Sequence, residues 1–128
     1  MDTSVKREED LLYGVNRVSD LTNMTDLERE HLPVITAPER IIANEPFDVM
    51  IAVGEQMSHP NEPSHYIDFI DLYADDTFIA RLDLTPKMTS PLMKVRMSLS
   101  HAHGNLRAFA HCNSHGTWEG RRRIEVAG

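Results

Sequence analysis

Apolar residues fall on every second position in one short segment after another, which is the period of a half-buried β-strand and the wrong one for an amphipathic helix. In PFDVMIAVG, Phe47, Val49, Ile51 and Val53 share a face; in TFIARLDL, Phe78, Ala80, Leu82 and Leu84 do the same. In LMKVRMSL, Met93, Val95, Met97 and Leu99 alternate with Lys94, Arg96 and Ser98. YIDFIDLYA is apolar on both faces near its middle, as suits a strand covered on both sides. NLRAFAHC and RRRIEVA complete the series, with shorter pieces at 33–36 and 40–43. Turn residues separate them, at Asp75 and Asp76 and again from His101 to Asn105. About seven or eight short strands broken by turns, with almost no helix, predict an all-β chain folded as an antiparallel β-sandwich or small barrel.

A chain of 128 residues is one ordinary domain. With 41% apolar and 26% charged residues it has the balance of a soluble globular protein. The first thirty residues differ in kind, being rich in Asp, Glu, Asn and Thr. They include TDLE, Thr25 to Glu28, a capping box that starts a turn or two of helix before Pro33 stops it. Residues 1–24 are expected to form an extension, laid over the sandwich or a neighbouring subunit through Leu11, Leu12, Tyr13 and Val15, and residues 25–128 the sandwich itself. A net charge of −7 offers no basic face to a polyphosphate and argues against nucleic acid as a partner. Arg121 to Arg123 read as charge that discourages edge pairing. One cysteine cannot form an internal disulfide, and the chain has neither a basic start followed by an apolar run nor a stretch long enough to cross a bilayer. The expectation is a cytoplasmic protein without membrane attachment.

That cysteine, Cys112, lies in AHCNSHGTWEG, with His115 three residues on and Gly116 next. On the same strand face as Leu106, Ala108 and Ala110, it reads equally as a small buried hydrophobe. Its company points to ligation. Seven histidines occur, at 31, 59, 65, 101, 103, 111 and 115, and imidazole and thiolate are the common nitrogen and sulfur ligands of transition metals. SHPNEPSHYI supplies His59 and His65 in a Pro-rich loop before a strand, and REHLPVI supplies His31 before another. Loops at one end of a sandwich cluster in space, so His31, His59, His65, Cys112 and His115 can converge from distant sequence. Four donors complete a structural zinc tetrahedron; four imidazoles and one thiolate suit a square-pyramidal iron with an open sixth position better. His111 points away from Cys112, and His101 and His103 read as exposed turn residues rather than a second metal site.

REHLPVI, HPNEPSHYIDFIDLY and CNSHGTWE resemble the three signature segments of the superoxide reductases, the neelaredoxin and desulfoferrodoxin catalytic domain family, over roughly residues 28–128. The resemblance implies an immunoglobulin-like sandwich of seven strands. It also implies one non-haem iron per chain, with His31, His59, His65 and His115 as equatorial ligands and Cys112 as the axial one. The implied reaction is one-electron reduction of superoxide to hydrogen peroxide, with the iron re-reduced by a small carrier such as rubredoxin. Homodimers or homotetramers are implied too. The extra cysteines of two-iron members are missing, which places the resemblance with the one-iron class. Backbone N–H groups in the turn after Cys112 are expected to hydrogen-bond its sulfur, and Gly116 to take a positive φ.

The family usually reads Glu-Lys-His before the first conserved proline, the glutamate binding ferric iron and the lysine attracting superoxide. Here the order is Glu28, Arg29, Glu30, His31. In direct register Arg29 and Glu30 take those places; with one inserted residue, Glu28 and Arg29 do. Against both stands a structural role, with Glu28 capping its helix and Arg29 solvated. Glu28, Arg29 and Glu30 are therefore candidate catalytic residues, one or more of them. Two other functions remain open to the sequence: a metal-free or zinc-bearing immunoglobulin-like carrier module, and dismutation of superoxide at the same iron.

Overall fold

Period-two segments become strands, and most turn residues become the connections between them. The computed structural model describes residues 8–101 and 103–127; residues 1–7 of the expected extension and Ala102 of the expected turn lie outside the described residues. After a 3-10 turn at Glu8–Leu12 come β1 (Val15–Arg17), helix α1 (Asp26–His31), β2 (Val34–Thr36), β3 (Arg40–Ile42), β4 (Phe47–Ala52) and β5 (Ile67–Ala74). These are followed by β6 (Thr77–Asp83), β7 (Leu92–Met97), β8 (Asn105–Cys112), β9 (Gly116–Arg123) and β10 (Glu125–Ala127).

One sheet has the order β1-β9-β8-β5-β6, a second β2-β4-β7, and β3 pairs with β10 in a third. Between them lies the core, where Val49, Ile51, Ile70, Leu72 and Leu106 are all but inaccessible. Burying such a side chain contributes about 1.5–3 kcal/mol, so these few positions carry much of the drive to fold. The sandwich matches expectation; its details depart from it. Ten strands are present among the described residues rather than seven or eight, and β1 runs parallel to β9 and β3 parallel to β10. The short strands β2 and β3 fall where pieces were expected; the additions are β1 and most of β9, since RRRIEVA, read as one strand, is divided between the end of β9 and β10.

Two bulges re-aim side chains in the five-stranded sheet. Phe78 pairs with Tyr73, yet the next partners are Ala80 and Leu72, which leaves Ile79 as an extra residue. Phe78, expected on the inner face, is consequently 52% exposed and meets the Tyr73 ring edge-on at 5.6 Å. In β5, Ile67 pairs with Cys112 and Phe69 with His111, which makes Asp68 the extra residue beside the cysteine.

The N-terminal segment is woven in rather than merely laid on. Leu11 is buried, and the Asn16 amide donates to the Leu11 and Thr117 carbonyls at 2.8 and 3.0 Å, tying the 3-10 turn to β9. Leu12 and Tyr13 remain exposed. On the outer face of the same sheet the buried Glu119 carboxylate takes hydrogen bonds from Arg17, Arg107 and Arg121, at 2.8, 2.8 and 2.6 Å. Burial opposes its charge, but these guanidinium donors outweigh burial and hold the carboxyl below the usual range. Arg121, read as an edge charge, therefore serves this cluster.

Candidate metal centre

Each of the gathered side chains is placed by a different local device. Thr25 caps α1: its hydroxyl accepts the Glu28 N–H at 3.1 Å, and the Glu28 carboxylate accepts the Thr25 N–H at 2.9 Å. The six-residue helix ends at His31, which is completely buried. The Nδ1–H of His31 donates to the Leu27 carbonyl, one turn back, at 2.7 Å, leaving Nε2 as the basic nitrogen. Beyond Leu32, the Pro33 carbonyl rests directly on Gly120 of β9, where any Cβ would lie 1.9 Å from that oxygen. Glycine at 120 is therefore what lets the His31 segment dock.

The 59–65 loop brings two imidazoles. His59 Nδ1–H donates to the Pro60 carbonyl at 2.6 Å, again freeing Nε2. Reciprocal backbone bonds between Glu62 and His65, at 3.0 and 2.9 Å, pinch the end of the loop. Asn113 then fastens it to the cysteine turn. Its backbone N–H donates to Tyr66 O (3.2 Å), its amide nitrogen to Ser64 O (3.2 Å), and its Oδ1 accepts the Tyr66 N–H (3.0 Å).

Cys112 ends β8 in full burial. Its turn continues through His115 into Gly116, whose φ of 79° is the left-handed conformation expected, and whose missing Cβ makes room for the Leu11 carbonyl. Trp118 is buried, stacks on His31 with ring centroids 5.1 Å apart, and donates its Nε1–H to the His115 carbonyl at 3.0 Å. It thus braces two of the histidines from behind.

The result is one compact cluster. Ligand atoms of His31, His59, His65 and Cys112 all lie within 4.8 Å of one another. His115 Nδ1 joins them, 3.1 Å from His65 Nε2 and 3.9 Å from Cys112 Sγ. All five residues expected to converge are brought together. His31 and His59 Nε2 face each other at 3.2 Å. With both Nδ1 atoms already donating, neither nitrogen has a proton to share, so this contact sets lone pair against lone pair. A cation between them resolves it: nitrogens at right angles on one metal, with bonds of about 2.1 Å, stand about 3 Å apart. Four imidazole nitrogens and one sulfur exceed a zinc tetrahedron and fit iron.

Electrostatics agree with a ligand role. Burial is the main cause that lowers the His31 and His59 pKa values from 6.5 to about 4, with the neighbouring imidazoles adding to it. Both rings are therefore neutral, and able to ligate, well below pH 6. Burial pushes the Cys112 thiol up, while the N–H groups of Ser114 and His115, donating to the sulfur, work in the opposite direction. Asn113 N–H, also expected on the sulfur, goes to Tyr66 instead.

Of the other candidates, Glu28 is engaged in its capping box, and Arg29 pairs with Asp26 at 3.3 Å. Glu28 thus has the capping contact weighed for it, while Arg29, weighed as solvated, is held in an exposed ion pair. Glu30 is half-buried, close enough for its charge to bear on Cys112. His111 donates from Nδ1 to Asp68 at 2.6 Å and stacks on Phe69, facing away from the cluster as its strand parity requires. Gly120 and the clamp made by the Asn113 side chain went unrecognised in the sequence; one hint was a glycine two residues beyond the tryptophan of the cysteine segment.

Comparison with known proteins gives a consistent answer. A desulfoferrodoxin family model matches residues 23–121. A relative from Methanocaldococcus jannaschii is 39% identical over 113 residues, covering 87% of this chain and 93% of its own. The superoxide reductase of Pyrococcus abyssi is 31% identical over 105 residues, 75% of this chain and 88% of its own. Among solved structures, the superoxide reductase (neelaredoxin) of Ignicoccus hospitalis superposes with a TM-score of 0.76 at 31% identity, over 95% of this chain and all of its own.

Proposed function

The chain belongs to the desulfoferrodoxin family, and on that premise we propose that it is a superoxide reductase of the one-iron class, with His31, His59, His65, His115 and Cys112 holding the iron. The observation that carries this reading is the lone-pair contact between His31 and His59 inside a cluster of four imidazoles and one buried thiol.

Held by these five residues, iron would supply the one electron needed, with two protons, to turn superoxide into hydrogen peroxide. The chain's own residues prepare for that chemistry. Leu27 and Pro60 fix the His31 and His59 tautomers, and burial keeps both rings uncharged. Cys112 must shed its proton to ligate, so loading is coupled to proton release. The Ser114 and His115 N–H groups draw electron density from the sulfur and so temper its donation. His31 and Cys112 are buried, while His59, His65 and His115 are half-buried, so the cluster is reached from the side of the 59–65 loop and the turn at His115.

We further infer a small one-electron carrier of the rubredoxin kind as donor, since reduction without oxygen release consumes one external electron per turnover. Assembly as a homodimer or homotetramer is supported by the exposed Leu12, Tyr13 and Leu21 of the N-terminal segment. A cytoplasmic setting suits the free thiol of the sole cysteine. The test is stoichiometry, measured with iron-loaded protein and an excess of reductant. One hydrogen peroxide per superoxide consumed, with no oxygen evolved, is expected; one per two, with oxygen, would make the protein a dismutase.

A further inference from the structure

At the far end of β8 from Cys112, the turn leading to Asn105 gathers a second pair of imidazoles. The rings of His101 and His103 lie 4.8 Å apart between centroids, the same separation as His59–His65 and His65–His115 in the metal cluster. As for His31 and His59 in that cluster, the Nδ1 atoms are committed. His103 Nδ1–H donates to Asp75 Oδ2 at 3.1 Å, and His101 Nδ1 hydrogen-bonds Ser100 Oγ at 2.9 Å. Nε2 is then the nitrogen each ring has left for a metal.

Asp75 is itself held. Its carboxylate accepts the N–H groups of Gly104 and Asn105, each at 3.1 Å, and its backbone occupies the left-handed region at φ 50°. A histidine whose second nitrogen is fixed by an immobilised carboxylate is the usual arrangement around bound transition metals, because it sets the tautomer and strengthens the ligand. His111 also has such a carboxylate, Asp68, but its ring stacks on Phe69 and no second imidazole is paired with it. Only at the 101–103 turn, among the described residues outside the main cluster, do two neighbouring imidazoles and a fixed carboxylate coincide.

We propose that His101 and His103 form a second metal site, which takes one borderline divalent cation such as Cu2+ or Zn2+, with Asp75 as the positioning residue for His103 and water completing the coordination. The seven steps of β8, at about 3.3 Å of rise each, put roughly 23 Å of strand between its turn and Cys112, so it fills independently of the iron. Two imidazoles and water favour Cu2+ over Ni2+ and Zn2+.

The experiment uses iron-loaded full-length protein, titrated calorimetrically with Cu2+ and with Zn2+, with iron content followed throughout and the copper complex observed by electron paramagnetic resonance. One equivalent of Cu2+ beyond the iron is expected, bound more tightly than Zn2+ and showing nitrogen hyperfine structure from two imidazoles. His101→Gln and His103→Gln should each weaken it at least tenfold, and Asp75→Asn by about 10–100-fold with both nitrogens retained. His101 is exposed, so its variant keeps the fold and the test remains decisive. Absence of a second equivalent, or a Cu2+ affinity that survives either histidine substitution, would overturn the proposal.

Discussion

Gly120→Ala tests how the cluster is assembled without touching a ligand. A Cβ at 120 would stand 1.9 Å from the Pro33 carbonyl oxygen, where ordinary contact begins near 3.4 Å, so the two backbones must part by about 1.5 Å. Pro33 is two residues from His31, and metal sites tolerate ligand displacements of about 0.2 Å. Even a small fraction of that retreat, passed along the chain, removes His31 from its 3.2 Å contact with His59. The overpacking itself costs about 1–3 kcal/mol, which a domain of this size survives. Gly120→Ala should therefore fold, with a lowered urea midpoint and an unchanged slope. It should bind iron at least tenfold more weakly, the same direction of loss expected of His31→Ala. Iron content after dialysis against a weak chelator, read beside circular dichroism, measures both effects. Native iron retention in Gly120→Ala would refute the idea that the Pro33–Gly120 contact positions His31.

Other consequences are checked separately. Glu119→Gln leaves three arginines facing an uncharged amide; because Arg17 and Arg121 reach solvent, the loss should sit near the low end for a broken buried pair, about 3 kcal/mol by urea denaturation, with iron binding unchanged. In the metal-free protein, His31 and His59 titrate near 4 when folded and near 6.5 when unfolded. The unfolded chain thus binds more protons across that window. Their contribution to stability is whole above pH 6.5 and fades as pH falls toward 4, by up to about 1.4 kcal/mol per pH unit for each ring, less for the half-buried His59. Chemical denaturation of the metal-free protein between pH 4 and 7.5 should show this slope, and His31→Gln should reduce it; a flat profile would contradict the neutral cluster.

The sandwich was legible because Phe47, Val49, Ile51 and Val53 alternate, and inward positions need only that to be found. Phe78 was not, because the bulge at Ile79 reverses the parity of everything before it, and a bulge costs no distinctive residue type. The parallel pairing of β1 with β9 joins residues about a hundred positions apart and has no local signal. In the metal cluster, donors could be read from His and Cys spacing. The supports could not: the carbonyls of Leu27 and Pro60 are backbone groups that every sequence possesses, and Gly120 acts through the absence of an atom. Glu28 and Arg29 were ambiguous because a capping box and a ligand motif call for the same residue types at the same helix end; in the structure the helix has taken both side chains.

The central claim is that Cys112 and the four histidines hold one redox-active iron. Metal analysis and visible absorption of the purified protein, before and after oxidation, in wild type and Cys112→Ser, address it most directly. About one iron per chain is expected, with a sulfur-to-ferric charge-transfer band that appears on oxidation and is missing in Cys112→Ser. Zinc or no metal in the wild type, or a band that survives the loss of the sulfur, would contradict it.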